Sequence, residues 1–247
     1  MTEQTSAKPG RKWSALRKFY ETAPDGDAGE FPRYELQLTQ LRGLAGHFPP
    51  SPRFLDLGCA SGAWSTRVAT TLGASQVIGV DLSTKGLVAA AGRGMHPVYA
   101  SVDGAVLPFA NGSLDVVMCD EVIEHIVDTD GLLDEIHRVL QADGMLVLST
   151  PNLAAWFNRL ALLAGLQPAF SEVAYSGIYG RPGSEVVGHL RLFTWRALRE
   201  FLAAHGFTVV SVEGAPYHDL PSVARPLDRL AARLPGVAAD LMVVARP

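Results

Sequence analysis

Two short apolar segments, separated by a glycine turn and a stretch of helix length, constrain this chain more than any other feature. The first segment, Phe54–Leu57, leads into a turn with the spacing G-x-x-x-G, at Gly58 and Gly62. The second segment, Val77–Val80, ends at an acidic residue, Asp81. This order predicts a β-α-β unit whose glycines let the backbone approach a ligand and whose helix N-terminus offers free N–H groups. Since a carboxylate at the tip of the second strand can accept hydrogen bonds from both ribose hydroxyls, the unit is typical of an adenosine site.

The spacing of this turn separates it from dinucleotide-binding folds. A pyrophosphate site has the pattern G-x-G-x-x-G, whereas Ala60 stands between Gly58 and Gly62 here. The turn therefore favours an adenosine ligand without a pyrophosphate. Two plainer interpretations stay open: the turn can be an ordinary strand-to-helix connection, and Asp81 can cap a helix just before Ser83.

At these residues the chain resembles the class I S-adenosylmethionine-dependent methyltransferases, whose first motif is an acidic residue followed by G-x-G-x-G. Ala60 replaces the middle glycine of that motif. The resemblance covers about residues 54–150 and 189–247, and is strongest to the small-molecule branch that includes ubiquinone-biosynthesis methyltransferases. It implies S-adenosylmethionine as cofactor, with its methionine end at the turn and its ribose at Asp81. The cofactor residues it implies in this unit are Asp56, Gly58, Cys59, Ala60, Gly62, Asp81 and Leu82.

Two further segments follow predicted strands and resemble the family's other cofactor contacts. After the third strand, Asp103 would accept a hydrogen bond from the adenine amino group, although Asp103-Gly104 also reads as a plain turn. Leu82, Val102 and Ala105 would enclose the purine ring. After the fourth strand, the segment from Asp120 to His125 resembles an E-V-(L/I)-E-H motif that runs past the transferable methyl. Ligands of open α/β sheets bind at these carboxyl ends of strands, so the segments predict one site.

Two of the seven histidines are placed to act as a base on the acceptor. A hydroxyl acceptor must lose a proton and an amine must arrive neutral, so a group with a pKa near working pH is useful. His125 lies four residues after Glu121, which would orient it if that segment is helical. Alternatively, His125 is structural and bonds a backbone carbonyl. His189 opens an H-x-x-x-F-T segment that borders the substrate side in similar enzymes, or else it packs where the next helix begins.

Alternating strand and helix patterns predict an α/β fold with a parallel sheet. Helices are expected over about 61–72 and 84–92, as well as one that Gly144 ends and one that Thr194 caps. Strands are expected near 77–81, 98–101, 114–119, 145–149, 207–212 and 241–245. The resemblance implies a Rossmann-like, mostly parallel seven-stranded sheet with a terminal antiparallel strand and helices on both faces.

The N-terminal segment and a long insertion are each predicted to fold over the site. Residues 1–50 read as an N-terminal helical flap, with a basic helix over 11–20, and residues 51–247 as the methyltransferase domain. Within that domain, about 152–192 form a long insertion with its own apolar and aromatic content, including Trp156, Phe157 and Tyr175. We interpret it as a helical cap that lines a site for a hydrophobic or aromatic acceptor. Extra core, a dimer contact and an interfacial helix resting on lipid are the alternatives.

Composition narrows the class of protein. The net charge of −4 argues against nucleic-acid binding, and two cysteines without metal-ligand spacing suggest buried thiols of a reducing compartment. No apolar run reaches about 18 residues, so we expect a cytoplasmic protein without a membrane span. Because the cysteines lack metal-ligand spacing, we expect no metal site.

The resulting prediction is an S-adenosylmethionine-dependent methyltransferase that acts on an oxygen or nitrogen of a small, hydrophobic or aromatic molecule. Its catalytic residues would be His125, His189 and Glu121. Peripheral lipid contact and a homodimer are further expectations. The alternatives are a nicotinamide-dependent oxidoreductase and a methyltransferase with a lipid or protein acceptor.

Overall fold

A single sheet of seven strands organises the computed structural model, which describes residues 31–174, 177–181, 186–217 and 220–247. The strands are β1 (Arg53–Leu57), β2 (Gln76–Asp81), β3 (His96–Tyr99), β4 (Leu114–Asp120), β5 (Leu140–Pro151), β6 (Thr208–Ala215) and β7 (Asp240–Arg246). Their order across the sheet is β3-β2-β1-β4-β5-β7-β6. Strands β1 to β5 pair in parallel, whereas β7 runs antiparallel to both of its neighbours. The predicted sheet, mostly parallel with a terminal antiparallel strand, is confirmed.

Helices connect the strands and cover both faces of the sheet. They are α1 (Pro32–Gly43), α2 (Ala63–Leu72), α3 (Thr84–Gly92), α4 (Thr129–Val139), α5 (Trp156–Leu163), α6 (Trp195–Ala204) and α7 (Arg225–Ala231). Short 3-10 segments occur at Ala45–His47 and Ile123–His125. Three helices start at side-chain caps: Ser83, Asp128 and Thr194 accept hydrogen bonds from the backbone N–H groups three residues on. The predicted cap at Thr194 is therefore confirmed.

Alternation along β1 divides the core between the two faces. Phe54 packs with Leu38 and Leu41 of α1, whereas Leu55 belongs to the cluster that holds Leu132 of α4. All of these side chains are buried. The central strands β1 and β4 are buried on both faces, and ligands of such sheets bind at the carboxyl ends of the strands.

Several element boundaries differ from the sequence prediction. Strand β3 begins two residues before the predicted 98–101. Helix α4 ends at Val139 rather than at Gly144, because the buried Leu140 already pairs with Leu114 of β4. Gly144 lies inside β5, where the register between β4 and β5 shifts and an added Cβ would meet the Gln141 carbonyl oxygen at 2.9 Å. Gly144 therefore lets the backbone of β5 pack closely against the Gln141 carbonyl, and it does not end a helix.

The predicted covers are described only in part. Helix α1 belongs to the proposed flap over 1–50, while the helix predicted over 11–20 lies outside the described residues, as does Tyr175 of the cap. In the described part of 152–192, α5 is the one helix, and the remaining backbone is irregular. The division at residue 50 stays a prediction. No helix in the described ranges has the length and apolar character needed to cross a membrane.

Candidate active site

The turn after β1 has a backbone shape that favours glycine at two positions. Gly58 and Gly62 have φ angles of +77° and +74°, in the left-handed region. A Cβ at Gly58 would lie 2.6 Å from Val122 Cγ2, and one at Gly62 would lie 2.4 Å from Met95 Sδ. The N–H groups of Gly58 and Cys59 both donate to the Val80 carbonyl, which ties the turn to β2. Conformation and space together explain the G-x-x-x-G spacing.

Ala60 occupies the turn at a position where glycine would be relaxed. Its φ angle is +45°, and its N–H donates to Asp81 Oδ2 at 2.8 Å. The other oxygen of Asp81 accepts from the N–H of Ser83 at 2.7 Å, just before α3. Asp81 thus joins the turn to the start of α3, and the hydrogen bond to Ala60 holds the left-handed conformation.

A cavity of about 200 Å³ opens at the carboxyl ends of β1 and β4. Its wall includes six residues predicted for the site, namely Asp56, Gly58, Cys59, Ala60, Asp120 and Glu121. Asp56 is buried and accepts a hydrogen bond from Ser65 Oγ at 2.5 Å. Burial holds the pKa of this carboxyl well above its ordinary value, and the nearby Asp120 and Asp81 add to the effect.

The predicted adenine contacts lie apart from this cavity wall. Asp103 Oδ1 accepts from the N–H of Asp128 at 2.9 Å, which joins the loop after β3 to the start of α4. Gly104 and Ala105 are exposed, and Leu82 is half-buried at the end of β2. Gly62 and Asp81 are likewise not in the wall, although Asp81 reaches it through Ala60. The adenine assignment of Asp103 stays a prediction.

Helix α1 contributes residues that the sequence analysis missed. Arg33 forms an ion pair with Glu121 at 2.9 Å, and Gln37 donates to Asp120 Oδ1 at 2.9 Å. Although burial lowers the pKa of Arg33, the carboxylates of Glu121, Asp120 and Asp240 raise it above its ordinary value. Tyr34 of the same helix stacks on Trp64 with ring centroids 4.2 Å apart. Arg33, Tyr34 and Trp64 all line the cavity.

No local signal marked these contacts. Arg33 and Glu121 are 88 positions apart, and the sequence around α1 contains no motif that links them. The basic side chain of Arg33 next to the helix-starting Pro32 was compatible with an ordinary exposed residue.

Near Glu121, three side chains form what we call the histidine cluster: Glu124, His125 and His189. Glu124 is buried, and its Oε1 lies 3.9 Å from His125 Nε2 and 4.0 Å from His189 Nε2. The two imidazole rings meet edge to face with centroids 4.9 Å apart. Both predicted histidines therefore lie together. Glu124 belongs to the E-V-(L/I)-E-H motif, but nothing in the sequence indicated a role for its side chain.

Glu121 does not share a helical face with His125. The 3-10 segment begins only at Ile123, and Glu121 itself has a φ angle of +54°. Its carboxylate accepts hydrogen bonds from Arg33 and from Ser149 Oγ, the latter at 2.7 Å. The expected i,i+4 pairing of Glu121 with His125 is wrong, because the backbone at Glu121 is left-handed and the 3-10 segment starts only after it.

Backbone carbonyls fix both imidazoles. His125 Nδ1 lies 3.2 Å from the Gly188 carbonyl oxygen, and His189 Nδ1 lies 3.0 Å from that of Phe170. Since a carbonyl only accepts, each Nδ1 carries the proton and each Nε2 presents its lone pair. Burial and the neighbouring His189 lower the pKa of His125 to about 4, and burial also lowers the pKa of His189. Both rings are therefore neutral at neutral pH.

Comparison with known proteins identifies the domain. The methyltransferase domain family matches residues 55–148, the span that carries the turn and most of the cavity wall. A ubiquinone biosynthesis O-methyltransferase of Sinorhizobium fredii is 33% identical over 161 residues, which are 64% of this chain and 60% of that protein. Residues 55–148 therefore form a methyltransferase domain. This confirms the predicted family and its cofactor, S-adenosylmethionine.

Other relatives of the methyltransferase domain match over a larger share of their length. A ubiquinone biosynthesis O-methyltransferase of Burkholderia thailandensis is 27% identical over 214 residues, 83% of this chain and 87% of that protein. Among solved structures, the 1,6-didemethyltoxoflavin-N1-methyltransferase of Burkholderia thailandensis aligns with a TM-score of 0.60 at 19% identity, over 99% of this chain and 92% of that one. That structure shares the fold, and it contains S-adenosylhomocysteine.

The cavity of the methyltransferase domain fits the cofactor's methionine end. Two donors of cavity-lining residues, Arg33 Nε and Trp64 Nε1, are buried without a hydrogen-bond partner among the described residues. Buried donors without acceptors are costly, so a ligand that brings a carboxylate would satisfy them. The methionine carboxylate is such a group, and residues 58–61 of the turn line the same cavity.

Proposed function

We propose that the protein transfers a methyl group from S-adenosylmethionine to an oxygen or nitrogen of a small, hydrophobic or aromatic molecule. The observation that supports the proposal is the cavity at the carboxyl ends of β1 and β4, whose wall residue Glu121 lies near two neutral histidines. Relatives support both acceptor atoms, since two are named O-methyltransferases and a structural neighbour is named an N1-methyltransferase.

In this proposal the chain's residues hold the cofactor along the strand ends. The turn from Gly58 to Gly62 and the donors of Arg33 and Trp64 bind the methionine end, Asp81 binds the ribose hydroxyls and Asp103 binds the adenine. S-adenosylmethionine supplies an electrophilic methyl group. The protein's main task is to align the acceptor, and proximity can contribute about 7–11 kcal/mol in favourable cases.

The histidine cluster supplies the proton acceptor. A hydroxyl acceptor must lose its proton, and a neutral imidazole with Nδ1 already protonated can accept one at Nε2. His125 and His189 both have this arrangement because carbonyl oxygens occupy their Nδ1 positions. Glu121 acts on the reaction indirectly, because its ion pair with Arg33 positions the guanidinium group at the cavity.

The acceptor's character follows from the rings around His189. Phe170 lies 6.2 Å from the His189 ring, 6.1 Å from Phe157 and 5.3 Å from Tyr217, centroid to centroid. Such an aromatic wall favours a flat, apolar acceptor over a charged one. Phe157, Phe170 and His189 of this wall lie in the described part of the insertion over 152–192, which supports the cap interpretation.

A lipid-borne acceptor is a second candidate, favoured by the outer surface of the same region. Leu163 of α5 and Leu230 of α7 are 85% and 59% exposed. The two helices are joined by the hydrogen bond from Trp156 Nε1 to Asp228 at 2.8 Å. Arginines at 225, 229 and 233 accompany them. Apolar side chains among arginines suit an anionic lipid surface. Co-sedimentation with anionic vesicles, and not with neutral ones, supports this candidate, and equal recovery from both argues against it.

The proposal is tested with radiolabelled S-adenosylmethionine and matched acceptor pairs. Each pair consists of a phenol and the corresponding aniline, with the O-methylated phenol as a blank. Transfer to one member that disappears in the Asp81→Ala variant supports the proposal and assigns the atom. A protein that binds S-adenosylhomocysteine but labels no member of a broad aromatic, aliphatic and lipid panel contradicts the small-molecule assignment.

A further inference from the structure

We propose that Glu124, His125 and His189 bind one divalent transition-metal ion, which holds and activates the acceptor. The three ligand atoms, one carboxylate oxygen and two imidazole nitrogens, all lie within 4.8 Å of one another. Two of their separations are 3.9 and 4.0 Å. The metal site itself depends only on these side chains, whereas its catalytic role rests on the function proposed above.

The first observation that supports a metal ion is the environment of the Glu124 carboxylate. Glu124 is 1% exposed, and its Oε2 accepts from Thr150 Oγ1 at 3.1 Å. Its Oε1 is buried and has no hydrogen-bond partner among the described residues. A buried carboxylate oxygen that lacks a donor is costly, and both imidazole nitrogens in front of it are too far for a hydrogen bond. A cation between them would satisfy the oxygen.

The second observation that supports a metal ion is the orientation of the His125 and His189 imidazoles. Metal-binding histidines commonly donate their other ring N–H to a carbonyl or carboxylate, which fixes the tautomer and aims the lone pair. His125 donates to Gly188 and His189 donates to Phe170 in this manner. Each Nε2 then faces Glu124 Oε1 at the distances given above.

The spacing suits a small ion. With two separations near 4 Å and the third at most 4.8 Å, a point equidistant from the three atoms lies at most about 2.5 Å from each, whereas Zn–N and Zn–O bonds measure about 2.0–2.2 Å. Side-chain adjustments of a few tenths of an ångström would therefore bring all three ligands to bonding distance. Two imidazoles and one carboxylate favour zinc, iron, cobalt or manganese over calcium.

Three protein ligands leave coordination positions for the acceptor. The acceptor's hydroxyl oxygen would bind the ion, which lowers the pKa of that hydroxyl. Because both Nε2 lone pairs then bind the ion, the ion replaces the histidines as the group that activates the hydroxyl, and the proton would leave to water. The resulting oxygen would form a bond to the methyl carbon while the carbon–sulfur bond breaks and its electron pair stays on sulfur. The products are the methyl ether and neutral S-adenosylhomocysteine, so no oxidant or further reactant is required.

The direct test is metal binding by the full-length protein after treatment with a chelator. Co²⁺ serves as a coloured probe and Zn²⁺ as the competitor, measured by visible absorption and equilibrium dialysis. We expect one ion per chain, and at least a hundredfold weaker binding in Glu124→Gln and in His189→Gln. The matched control is His96→Gln, because His96 is exposed on β3 outside the site and should leave binding unchanged.

The outcomes separate the metal site from the proposed function. Circular dichroism and S-adenosylhomocysteine binding confirm that each variant is folded. No bound ion, or equal binding by the wild type and the Gln variants, overturns the metal site. Methyl transfer that persists in excess chelator overturns the metal's catalytic role and leaves the methyltransferase function intact. One tightly bound ion without methyl transfer to any acceptor supports the site and counts against the proposed function.

Discussion

The glycine turn and the histidine cluster both lie at the carboxyl ends of the central strands, yet they are built differently. The turn is specified within five residues, from Gly58 to Gly62, and its shape is a property of the backbone. The histidine cluster combines residues 64 positions apart, His125 and His189, and its shape depends on side chains held by distant carbonyls. The first is therefore fixed by local conformation and the second by how the cap region packs.

The anchoring of the cap segment shows how far this dependence extends. The Glu172 carboxylate accepts hydrogen bonds from the N–H groups of residues 187, 188 and 189 at 2.7, 2.8 and 2.9 Å. The Glu124 carbonyl accepts from Leu190 and Arg191. His189 is thus placed by two glutamates, neither of which lies near it in sequence. Cofactor binding and acceptor chemistry should consequently be separable by mutation.

The largest expected effect is on the turn itself. Gly62→Ala places a Cβ 2.4 Å from Met95 Sδ on a backbone with φ of +74°. We expect a loss of about 2–4 kcal/mol in the free energy of unfolding, combining left-handed strain with overpacking. Urea unfolding measures it. Gly104→Ala is the matched control, since Gly104 has φ of +64° with no atom within 4 Å of the added Cβ, and should lose only about 1–2 kcal/mol. Equal losses would show that packing at the turn is unimportant.

The next effect concerns the cofactor. Asp81→Ala removes a carboxylate that joins the turn to α3 and would bind the ribose. Because charge-assisted hydrogen bonds contribute about 1.5–3 kcal/mol, the affinity for S-adenosylhomocysteine should fall at least about tenfold. Calorimetric titration checks it. Unchanged affinity in a folded variant would remove Asp81 from the site.

A smaller, more selective effect is expected from Glu172→Ala. Three backbone N–H groups lose their acceptor, so the segment that carries His189 should loosen. We expect methyl transfer to fall roughly five- to tenfold, because misplacement of a catalytic group lowers the rate steeply. The affinity for S-adenosylhomocysteine should stay within about twofold of the wild type. A matching loss of cofactor affinity would mean that the turn and the histidine cluster are not independent.

The smallest effect is expected at Ala60, the residue that replaces the family's middle glycine. Ala60→Gly relieves a left-handed alanine but adds freedom to the unfolded chain, and these changes of about 1 kcal/mol largely cancel. Since the Ala60 N–H already bonds Asp81, cofactor affinity should change by less than about threefold. A tenfold gain would show that the alanine methyl restricts the cofactor.

Sequence reasoning predicted what local chemistry determines. Helix α3 spans the predicted Thr84–Gly92, because Ser83 caps it and its length is set between two turns. The spacing of Gly58 and Gly62 likewise predicted the turn after β1, and the apolar segment before Asp81 predicted that this residue ends the next strand. Strand β5 was misjudged at its start, since Gly144 has the composition of a helix stop but the burial of Leu140 decides the pairing.

The rest of the site depends on long-range contacts. The pair of Arg33 with Glu121 and the meeting of His125 with His189 connect elements that only the assembled sheet brings together. The role of Glu124 also depends on long-range packing. Its motif is visible in the sequence, but the burial of its Oε1 without a hydrogen-bond partner among the described residues arises only in the folded chain. Pairing Glu121 with His125 by helical spacing failed because the backbone at Glu121 is left-handed.

The most direct test of the account is calorimetric titration of the purified protein with S-adenosylhomocysteine, using NADH as the control ligand. The cavity beside the glycine turn, with its buried donors on Arg33 and Trp64, predicts micromolar binding of S-adenosylhomocysteine and none of NADH. Binding of NADH alone, or no binding of S-adenosylhomocysteine by the folded protein, would contradict it.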